Sequence, residues 1–189
     1  LRWHDGNSYD AGGLSSGGAF YAGARWYADD LKDYEELSLT DVEFYINQVP
    51  DALFILIYEG NTLVRQQYVP TMRQYSFNNV KLDEPLAVDP SKDLLVALYI
   101  EHNEITAPLG YDRGPANSGR GNLYSNDGVT WGLLNDSETG IDANWNISIG
   151  LSAYSNVPLE HAKAMSKTRK TFAPKASPTG SKLVAVPVG

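Results

Sequence analysis

The sequence predicts an all-β fold, a two-sheet antiparallel β-sandwich of jelly-roll type with one short connecting helix. Short segments rich in Val, Ile, Leu, Tyr and Phe recur along the first 154 residues. Clusters of Gly, Asp, Asn and Pro, the residues typical of turns, separate these segments. Only one segment near the start of the chain has the apolar spacing of a helix.

Seven segments are predicted to be strands. In chain order they are Gly17–Tyr27, Leu39–Asn47, Ala52–Gly60, Thr62–Val69, Gln74–Leu82, Leu94–Glu101 and Asn144–Tyr154. The third is almost continuously apolar, as in a strand buried on both faces, and it ends at a hairpin turn signal, Glu59-Gly60-Asn61. In the second, regular alternation places Leu39 on the face opposite Val42.

The predicted helix is Ala28–Leu37. Leu31, Tyr34 and Leu37 are three residues apart and share one face of it. Asp29 and Asp30 near its start suit the positive end of the helix dipole. At about three turns, this helix is expected to connect strands rather than to build the core.

The chain divides by composition into two parts. Residues 1–154 are predicted to form the sandwich, and residues 155–189 form a basic tail rich in Pro, Ser, Thr and Lys with a terminal edge strand. The tail is expected to dock on its own acidic body or on a second copy. Its extended end should bury the side chains on one of its two sides. One row of side chains is Leu183, Ala185 and Pro187, and the other is Val184, Val186 and Val188.

Several classes of function are excluded or disfavoured by composition. The absence of cysteine excludes disulfides, thiolate metal sites and a cysteine nucleophile. The three histidines form no zinc-hydrolase motif, and there is no G-x-S-x-G elbow. A net charge of −8 argues against nucleic acid as a partner. No apolar run is long enough to predict a transmembrane helix. A glycoside-active enzyme stays open, because two carboxyl groups facing across a cleft would suffice.

Calcium is the metal that the loop residues suit best. It prefers carboxylate and amide oxygens held on loops, and three acidic or amide-rich turns offer them. The candidate ligands are Asp5, Asp10, Asp127, Asp142 and Asn144. The alternative is that Asp and Asn near Gly serve as ordinary turn residues.

The Gly-rich stretch Tyr111–Leu134 is predicted to be an ordered excursion rather than a linker or a catalytic loop. Its glycines permit tight backbone paths, and Leu123, Trp131 and Leu133 are expected to pin it to the sandwich. Its exposed side chains are the predicted ligand-binding residues. They are Tyr111, Asp112, Arg113, Asn117, Arg120, Asn122, Tyr124, Asp127 and Trp131.

The tryptophans help to orient this prediction. Trp26 and Trp145 lie in strand-like segments and are predicted to be core residues, whereas Trp3 and Trp131 flank loops and suit either the core or a binding surface. The segment near Trp3 is expected to lie beside Asn144–Tyr154, because terminal strands of jelly rolls tend to share a sheet. Trp145 and Ile147 should then face the core, with Asn146 and Ser148 on the outer face.

Three stretches resemble a known module. They are “WHDGNSYDAGGLSSGGAFYAGARWYADDLKDYEELSLTDVEFYI”, “GYDRGPANSGRGNLYSNDGVTWGLL” and “GIDANWNISIGLSAY”. They resemble a β-sandwich module of secreted and surface proteins in Bacteroidetes-type bacteria, related to cleaved-adhesin and hemagglutinin-like jelly rolls. The resemblance covers about residues 1–154 and rests on turn and strand signatures without a catalytic motif.

The expected function follows from this resemblance together with the missing catalytic motifs. It is a non-catalytic adhesion or carbohydrate-binding module of an exported or surface bacterial protein, located outside the cell or at the outer membrane. The expected partner is a glycan or a host or cell-surface protein, and the resemblance implies calcium as a structural ion. The alternative is a purely structural spacer beside a secreted peptidase or another enzyme.

Overall fold

In the computed structural model the described residues are 1–103, 106–136, 140–153, 173–175 and 181–187. Within them the chain forms twelve strands and one short α-helix. The strands are Asp10–Leu14 (β1), Gly18–Trp26 (β2), Ser38–Ile46 (β3), Ala52–Glu59 (β4), Thr62–Tyr68 (β5), Ser76–Ala87 (β6), Leu94–His102 (β7), Leu109–Tyr111 (β8), Leu123–Ser125 (β9), Gly132–Leu133 (β10), Ile147–Ser152 (β11) and Leu183–Pro187 (β12). The helix is Ala28–Leu31 (α1).

The strands form two antiparallel sheets, and the predicted all-β sandwich is confirmed. Sheet A has the strand order β11-β3-β8-β1-β12, and its sixth strand, β6, also pairs with β3. Sheet B has the order β10-β9-β2-β7-β4-β5. Strands that are distant in sequence are neighbours in both sheets, so no short piece of the chain contains a complete sheet.

Apolar side chains from both sheets fill the space between them. Trp26 and Trp145, the two predicted core tryptophans, are 1% and 0% exposed. The Trp145 ring packs against Phe20 of sheet B and Tyr111 of sheet A. Its indole N–H donates to the Leu123 carbonyl at 2.8 Å, so the one polar group of this side chain is satisfied inside the core.

Strand β3 departs from the predicted alternation at one place. Leu39 and Val42 are both buried, although a regular strand would turn them to opposite faces. The pairing of β3 with β6 shifts register between Leu39 and Asp41. Against β11 the consecutive residues Leu151 and Gly150 pair with Leu39 and Asp41, so β3 has one extra residue there, and the apolar residues on both sides of it face the core.

The predicted helix Ala28–Leu37 is too long. The α-helix ends at Leu31, and Lys32–Tyr34 continues as a 3-10 helix. Leu31 is buried and anchors the short helix, while the Leu37 carbonyl already accepts the backbone N–H of Val88, which follows β6. Entry of the chain into sheet A therefore ends the helix early. No helix among the described residues is long and apolar enough to cross a membrane.

The amino-terminal residues lie beside β11, which confirms the predicted neighbourhood of Trp3 and Asn144–Tyr154. The Leu1 ammonium donates to the Ile149 carbonyl at 2.6 Å, and the Ile149 N–H donates back to the Leu1 carbonyl at 2.9 Å. Asn146 alternates with the core residues Trp145 and Ile147, as predicted. It is nevertheless fully buried, because the amino-terminal loop covers it and its amide N–H donates to the Asn7 carbonyl at 2.8 Å.

The end of the chain forms an edge strand. Strand β12 lies antiparallel to β1 at the edge of sheet A, and the Ser15 N–H donates to the Lys182 carbonyl at 2.9 Å. The first of the two predicted rows is not buried throughout, because Leu183 is buried but Ala185 is exposed. In the second row Val184 is half-buried, and the side chains of Val186 and Val188 lie outside the described residues. Apart from residues 173–175 and 181–187, the tail lies outside the described residues.

A proline scan of β12 tests its pairing. Alternation from the hydrogen-bonded Ser15–Lys182 pair places the Val184 N–H towards Gly13, whereas the Ala185 N–H points away from β1. We expect Val184→Pro to lower the free energy of unfolding by about 1 kcal/mol or more. The matched variant Ala185→Pro should cost clearly less, since it removes no bond to β1. Equal melting temperatures for the two variants would contradict this pairing.

Candidate ligand-binding site

The excursion between β8 and β10 is ordered by backbone contacts to the sandwich. The Arg25 N–H of β2 donates to the Arg120 carbonyl at 2.8 Å, and the Trp145 N–H donates to the Gly121 carbonyl at 2.8 Å. Of the residues predicted to pin the excursion, Leu123 is buried, but Leu133 is only half-buried. The neighbouring Leu134 is fully buried and provides the second anchor.

A buried carboxylate organises the start of the excursion. Asp112 is 3% exposed, and its Oδ1 accepts the backbone N–H groups of Gly114 at 2.8 Å and Asn144 at 2.7 Å. Its Oδ2 accepts the side-chain amide of Asn144 at 3.0 Å and the backbone N–H of Asp5 at 3.3 Å. One side chain therefore joins the amino-terminal loop, the excursion and the segment that leads into β11.

Asn144 extends this network. Its Oδ1 accepts the Asn117 N–H at 2.7 Å, and its side-chain amide also donates to the Pro115 carbonyl at 3.1 Å. Asp142, two residues earlier, accepts the Ala116 N–H at 2.9 Å. Polar side chains thus provide the hydrogen-bond partners that a strand would otherwise provide to this irregular backbone.

Three of the predicted ligand-binding residues are not exposed, so the predicted exposure of these three side chains is wrong. Tyr111 and Asp112 are each 3% exposed and Asn122 is 0% exposed. Asn122 accepts the Gly119 N–H at 2.9 Å and donates to the Asn135 side chain at 2.7 Å. Asp112 and Asn122 are buried because the excursion needs internal partners for its own backbone, whereas the Tyr111 ring packs against Trp145 in the core.

The two predicted arginines are both engaged within the molecule. The Arg113 guanidinium lies 4.1 Å from the ring centre of Tyr9. Arg120 lies 4.9 Å from the ring centres of both Trp3 and Tyr27, and it forms an ion pair with Asp30. Such cation–π contacts attract the cation to the electron-rich ring face, so both arginines fasten the excursion to neighbouring segments.

Of the remaining predicted residues, two make contacts within the molecule and two lie on a separate surface. The exposed Asn117 donates its side-chain amide to the Trp3 carbonyl at 2.9 Å. Tyr124 is half-buried; its ring lies 6.3 Å from that of Phe20, and its hydroxyl donates to the Asn126 side chain. Asp127 and Trp131 lie beyond it, on the outer side of sheet B.

Trp131 lies in an aromatic group on that outer side. Its ring is half-buried and meets the rings of Tyr21 and Tyr58 edge to face, each with centres 6.4 Å apart. The ring rests against Gly23 of β2, where an added side-chain carbon would come within 3.1 Å of it. The absence of a side chain at Gly23 therefore allows the indole to lie close to the sheet.

The loop before Trp131 packs on the same rings. Asp127 Oδ1 accepts the N–H groups of Val129 at 2.8 Å and Thr130 at 2.7 Å, and these bonds lower the pKa of Asp127 to about 2. Burial, with Tyr58 and Asp127 nearby, raises the pKa of Tyr21 to about 12. We call Trp131, Tyr58, Tyr21 and Asp127 the Trp131 patch.

Tyr58 was not among the residues predicted from sequence. It is the last apolar residue of β4, and its position in that run predicts one more core residue. Only the pairing of β4 with β7 and the path of the excursion bring it to Trp131. A tyrosine next to Glu59 at the end of the apolar run was the one available signal of a boundary between core and solvent.

The predicted calcium ligands do not form one cluster. Asp142 and Asn144 lie close together, and Asp5 reaches them through its backbone N–H to Asp112. Asp10 begins strand β1, and Asp127 belongs to the Trp131 patch. Among the described residues there is no group of three or more His, Asp or Glu side chains that would hold a metal ion.

Calcium binding stays a prediction with a direct test. If calcium stabilises the fold, thermal melts recorded with calcium and with a chelator will differ by several degrees, because an ion that binds only the folded state raises its stability. Coinciding melts would remove calcium from the description of this protein.

Two histidines are buried, and each accepts a backbone N–H through one ring nitrogen. His4 Nδ1 accepts the Gly6 N–H at 3.1 Å, so its proton is on Nε2 and faces the Ser148 hydroxyl at 2.8 Å. His102 Nε2 accepts the Leu14 N–H at 2.9 Å. Burial lowers the pKa of His4 to about 4 and also lowers the pKa of His102.

These histidines predict a loss of stability on mild acidification. Their folded pKa values lie below the unfolded value of 6.5, so the unfolded state takes up protons first. Stability should be complete above about pH 6.5 and fall as the pH decreases towards about 4. Melting temperatures at about pH 5 and pH 7 measure the effect, and His4→Gln should reduce the slope. A flat wild-type profile over this window would contradict the prediction.

No known protein family matches this chain, and no curated protein or solved structure matches it either. The comparisons therefore do not connect the chain with the adhesin-like modules that its motifs resemble. A function for this protein has to be inferred from the geometry of its surfaces.

Proposed function

We propose that this chain is a non-catalytic adhesion or carbohydrate-binding module of an exported or surface bacterial protein, and that its ligand binds at the Trp131 patch. The observation that supports the proposal is the half-buried Trp131 ring, held edge to face by two tyrosines beside an exposed polar loop. The extracellular location follows from the resemblance of the strand and turn motifs.

The chemistry of the patch suits a sugar. An indole ring offers a flat apolar surface to the C–H face of a pyranose, and nearby polar groups hydrogen-bond to its hydroxyl groups. The edge-to-face contacts with Tyr21 and Tyr58 hold the Trp131 ring in place, so little conformational entropy is lost on binding. The loop with Asp127 and the 81%-exposed Val129 forms a rim at one side of the ring.

A glycan array and a host-matrix binding screen test the proposal. We expect Trp131→Ala to weaken any observed binding by about tenfold or more, as for a central aromatic contact. The matched control is Tyr75→Ala, because Tyr75 is a 58%-exposed aromatic residue directly before β6 of sheet A. Thermal melts of both variants establish that they fold. Equal loss of binding in both variants, or none in either, would contradict a site at Trp131.

A second candidate is a structural spacer domain. It is favoured by the number of predicted binding residues that serve internal contacts, among them Asp112, Arg113 and Arg120. A spacer needs a rigid surface but no ligand site. If the wild-type protein binds nothing on the array or the matrix screen, the spacer is the better description.

A further inference from the structure

A row of aromatic side chains crosses the outer face of sheet B, which faces away from sheet A. Tyr21, Tyr99, Phe54 and Tyr68 are direct cross-strand neighbours on β2, β7, β4 and β5. Their ring centres follow one another at 5.0, 6.1 and 5.1 Å. We call this row the aromatic ridge. Cross-strand aromatic pairs of this kind stabilise a sheet, but a sheet does not require them on its outer face.

Small residues flank the aromatic ridge. Ala19 and Ala52 lie on one side of it, and Gly23 and Ala97 lie on the other. Glu101 lies directly between Ala19 and Ala52, whereas the Trp131 ring lies against Gly23 on the other side of the ridge. Tyr21, Tyr99 and Phe54 of the ridge are buried.

A short segment of the tail contacts the ridge on the Glu101 side. The Lys175 backbone N–H donates to the Tyr99 hydroxyl oxygen at 2.7 Å, and the Lys175 ammonium donates to Glu101 at 2.7 Å. The Tyr99 hydroxyl donates its own proton to the other Glu101 oxygen at 2.9 Å. Tyr99 and Glu101 thus form one preorganised pair that accepts both a backbone and a side-chain donor.

The pair and its occupant differ in how firmly they are held. Tyr99 is fully buried and the Glu101 side chain is 16% exposed, whereas the Lys175 side chain is 74% exposed. Ala173, Pro174 and Lys175 are all exposed. The receptor side therefore belongs to the rigid sheet, and the occupant is a surface segment held mainly by polar contacts that another segment can replace.

The occupant has the chemistry that such a surface selects. Proline restricts its own backbone and the preceding residue to extended conformations, so Ala173-Pro174 loses little entropy on docking. The first backbone N–H after the proline is the one that Tyr99 accepts. The Lys175 ammonium then forms an ion pair with Glu101. The Tyr99 hydroxyl and the Glu101 carboxylate thus recognise the backbone N–H after the proline and the lysine ammonium together.

We propose that the Tyr99–Glu101 side of the aromatic ridge is a docking site for extended Pro–Lys peptide segments. The chain fills the site with its own Ala173–Lys175, and the same site accepts an equivalent segment supplied in trans. Tyr21 belongs both to the ridge and to the Trp131 patch, but the docking contacts are made by Tyr99 and Glu101, so this inference stands or falls independently of carbohydrate binding.

The contact within the chain is tested by amide hydrogen exchange of residue 175 in the full-length protein. Tyr99→Phe keeps the ring but removes the acceptor, and we expect about tenfold faster exchange. Glu101→Lys and Lys175→Glu should each accelerate exchange, and the charge reversal Glu101→Lys/Lys175→Glu should restore protection. Exchange that none of these variants changes would overturn the proposal.

Docking in trans is tested with a synthetic peptide of the sequence TFAPKASP, which copies residues 171–178. In the full-length variant Pro174→Gly/Lys175→Glu the internal segment no longer competes. We expect this variant to bind the peptide about tenfold more tightly than the wild-type chain does, because a tethered competitor acts at high effective concentration. Backbone amide shifts of Tyr99 and Glu101 report the binding.

The control peptide TFAGEASP lacks both recognised features and should cause no shifts at Tyr99 and Glu101. Adding Tyr99→Phe to the Pro174→Gly/Lys175→Glu variant should abolish binding of TFAPKASP while leaving the ring in place. Absence of binding to the Pro174→Gly/Lys175→Glu variant, or equal binding of the two peptides, would overturn the proposal.

Discussion

Replacement of Trp145 by alanine is expected to lower the free energy of unfolding by about 4 kcal/mol, in the middle of the range for buried aromatic residues. The side chain is fully buried between the sheets and contacts Phe20 and Tyr111. Its removal leaves a cavity and also leaves the Leu123 carbonyl without the indole N–H. For a domain of this size the melting temperature should fall by roughly 8–16 °C.

The position of Trp145 makes this cavity difficult to close. Gly12 lies so close to the indole that an added side-chain carbon would come within 2.8 Å of the ring. The surrounding backbone belongs to paired strands of sheet A and cannot move inwards without breaking hydrogen bonds. Partial collapse, which reduces the cost of many large-to-small substitutions, is therefore limited here.

The conservative variant Trp145→Phe separates packing from hydrogen bonding. It retains most of the ring volume but loses the N–H, so we expect it to lose clearly less stability than Trp145→Ala. Urea unfolding monitored by far-UV circular dichroism measures both variants. A loss of less than about 1 kcal/mol for Trp145→Ala would show that this residue is not the centre of the core.

The positions of the main strands along the chain follow from local patterns, so these positions were predictable. Ala52–Glu59 and Leu94–His102 are apolar along their length because they are interior strands of sheet B. Strands β8, β9 and β10 were not predicted, since two or three residues carry no measurable periodicity. They form because β1 offers an edge to β8, β2 offers an edge to β9, and β9 in turn pairs with β10.

The candidate site was harder to predict than the strands, because exposure in an irregular segment depends on distant donors. Asp112 and Asn122 have the composition of a turn surface, yet the backbone N–H groups around them turn both side chains inwards. Trp131 was predicted as either a core or a surface residue, and it is half-buried. Its partner Tyr58 is 73 residues away and is brought to it by strand pairing and by the path of the excursion.

The tail shows the same division between local and distant information. The alternating apolar residues and Pro187 predicted an extended edge segment, and Leu183–Pro187 pairs with β1 at a sheet edge. The choice of β1 as partner could not be read from the tail itself. It depends on β1, which pairs with β8 along one edge and with Leu183–Pro187 along the other.

Replacement of Asp112 by alanine is expected to cost about 3–5 kcal/mol, although the change removes no large apolar group. The buried carboxylate accepts three backbone N–H groups, from Asp5, Gly114 and Asn144, and also the Asn144 side chain. Each donor left without a partner away from water costs about 1–3 kcal/mol. Hydrogen bonds to a charged acceptor are also stronger than those between neutral groups.

Asp142→Ala is the matched control for Asp112→Ala. Asp142 is also an aspartate that accepts a backbone N–H from the excursion, but it is exposed, so water can replace it. We expect it to cost about 1 kcal/mol or less. Asp112→Asn should fall between the two, because it keeps one carbonyl oxygen but turns an N–H₂ group towards existing donors.

A double-mutant cycle of Asp112→Ala with Asn144→Ala locates the energy within the network. The two side chains contact each other directly at 3.0 Å, so their effects should not add, and a coupling of about 1–3 kcal/mol is expected. Hydrogen exchange should show faster opening at Gly114 and Asn117, whose N–H groups depend on Asp112 and Asn144. If Asp112→Ala costs no more than Asp142→Ala, water has replaced the carboxylate, and the excursion is held by its apolar anchors Leu123 and Leu134 instead.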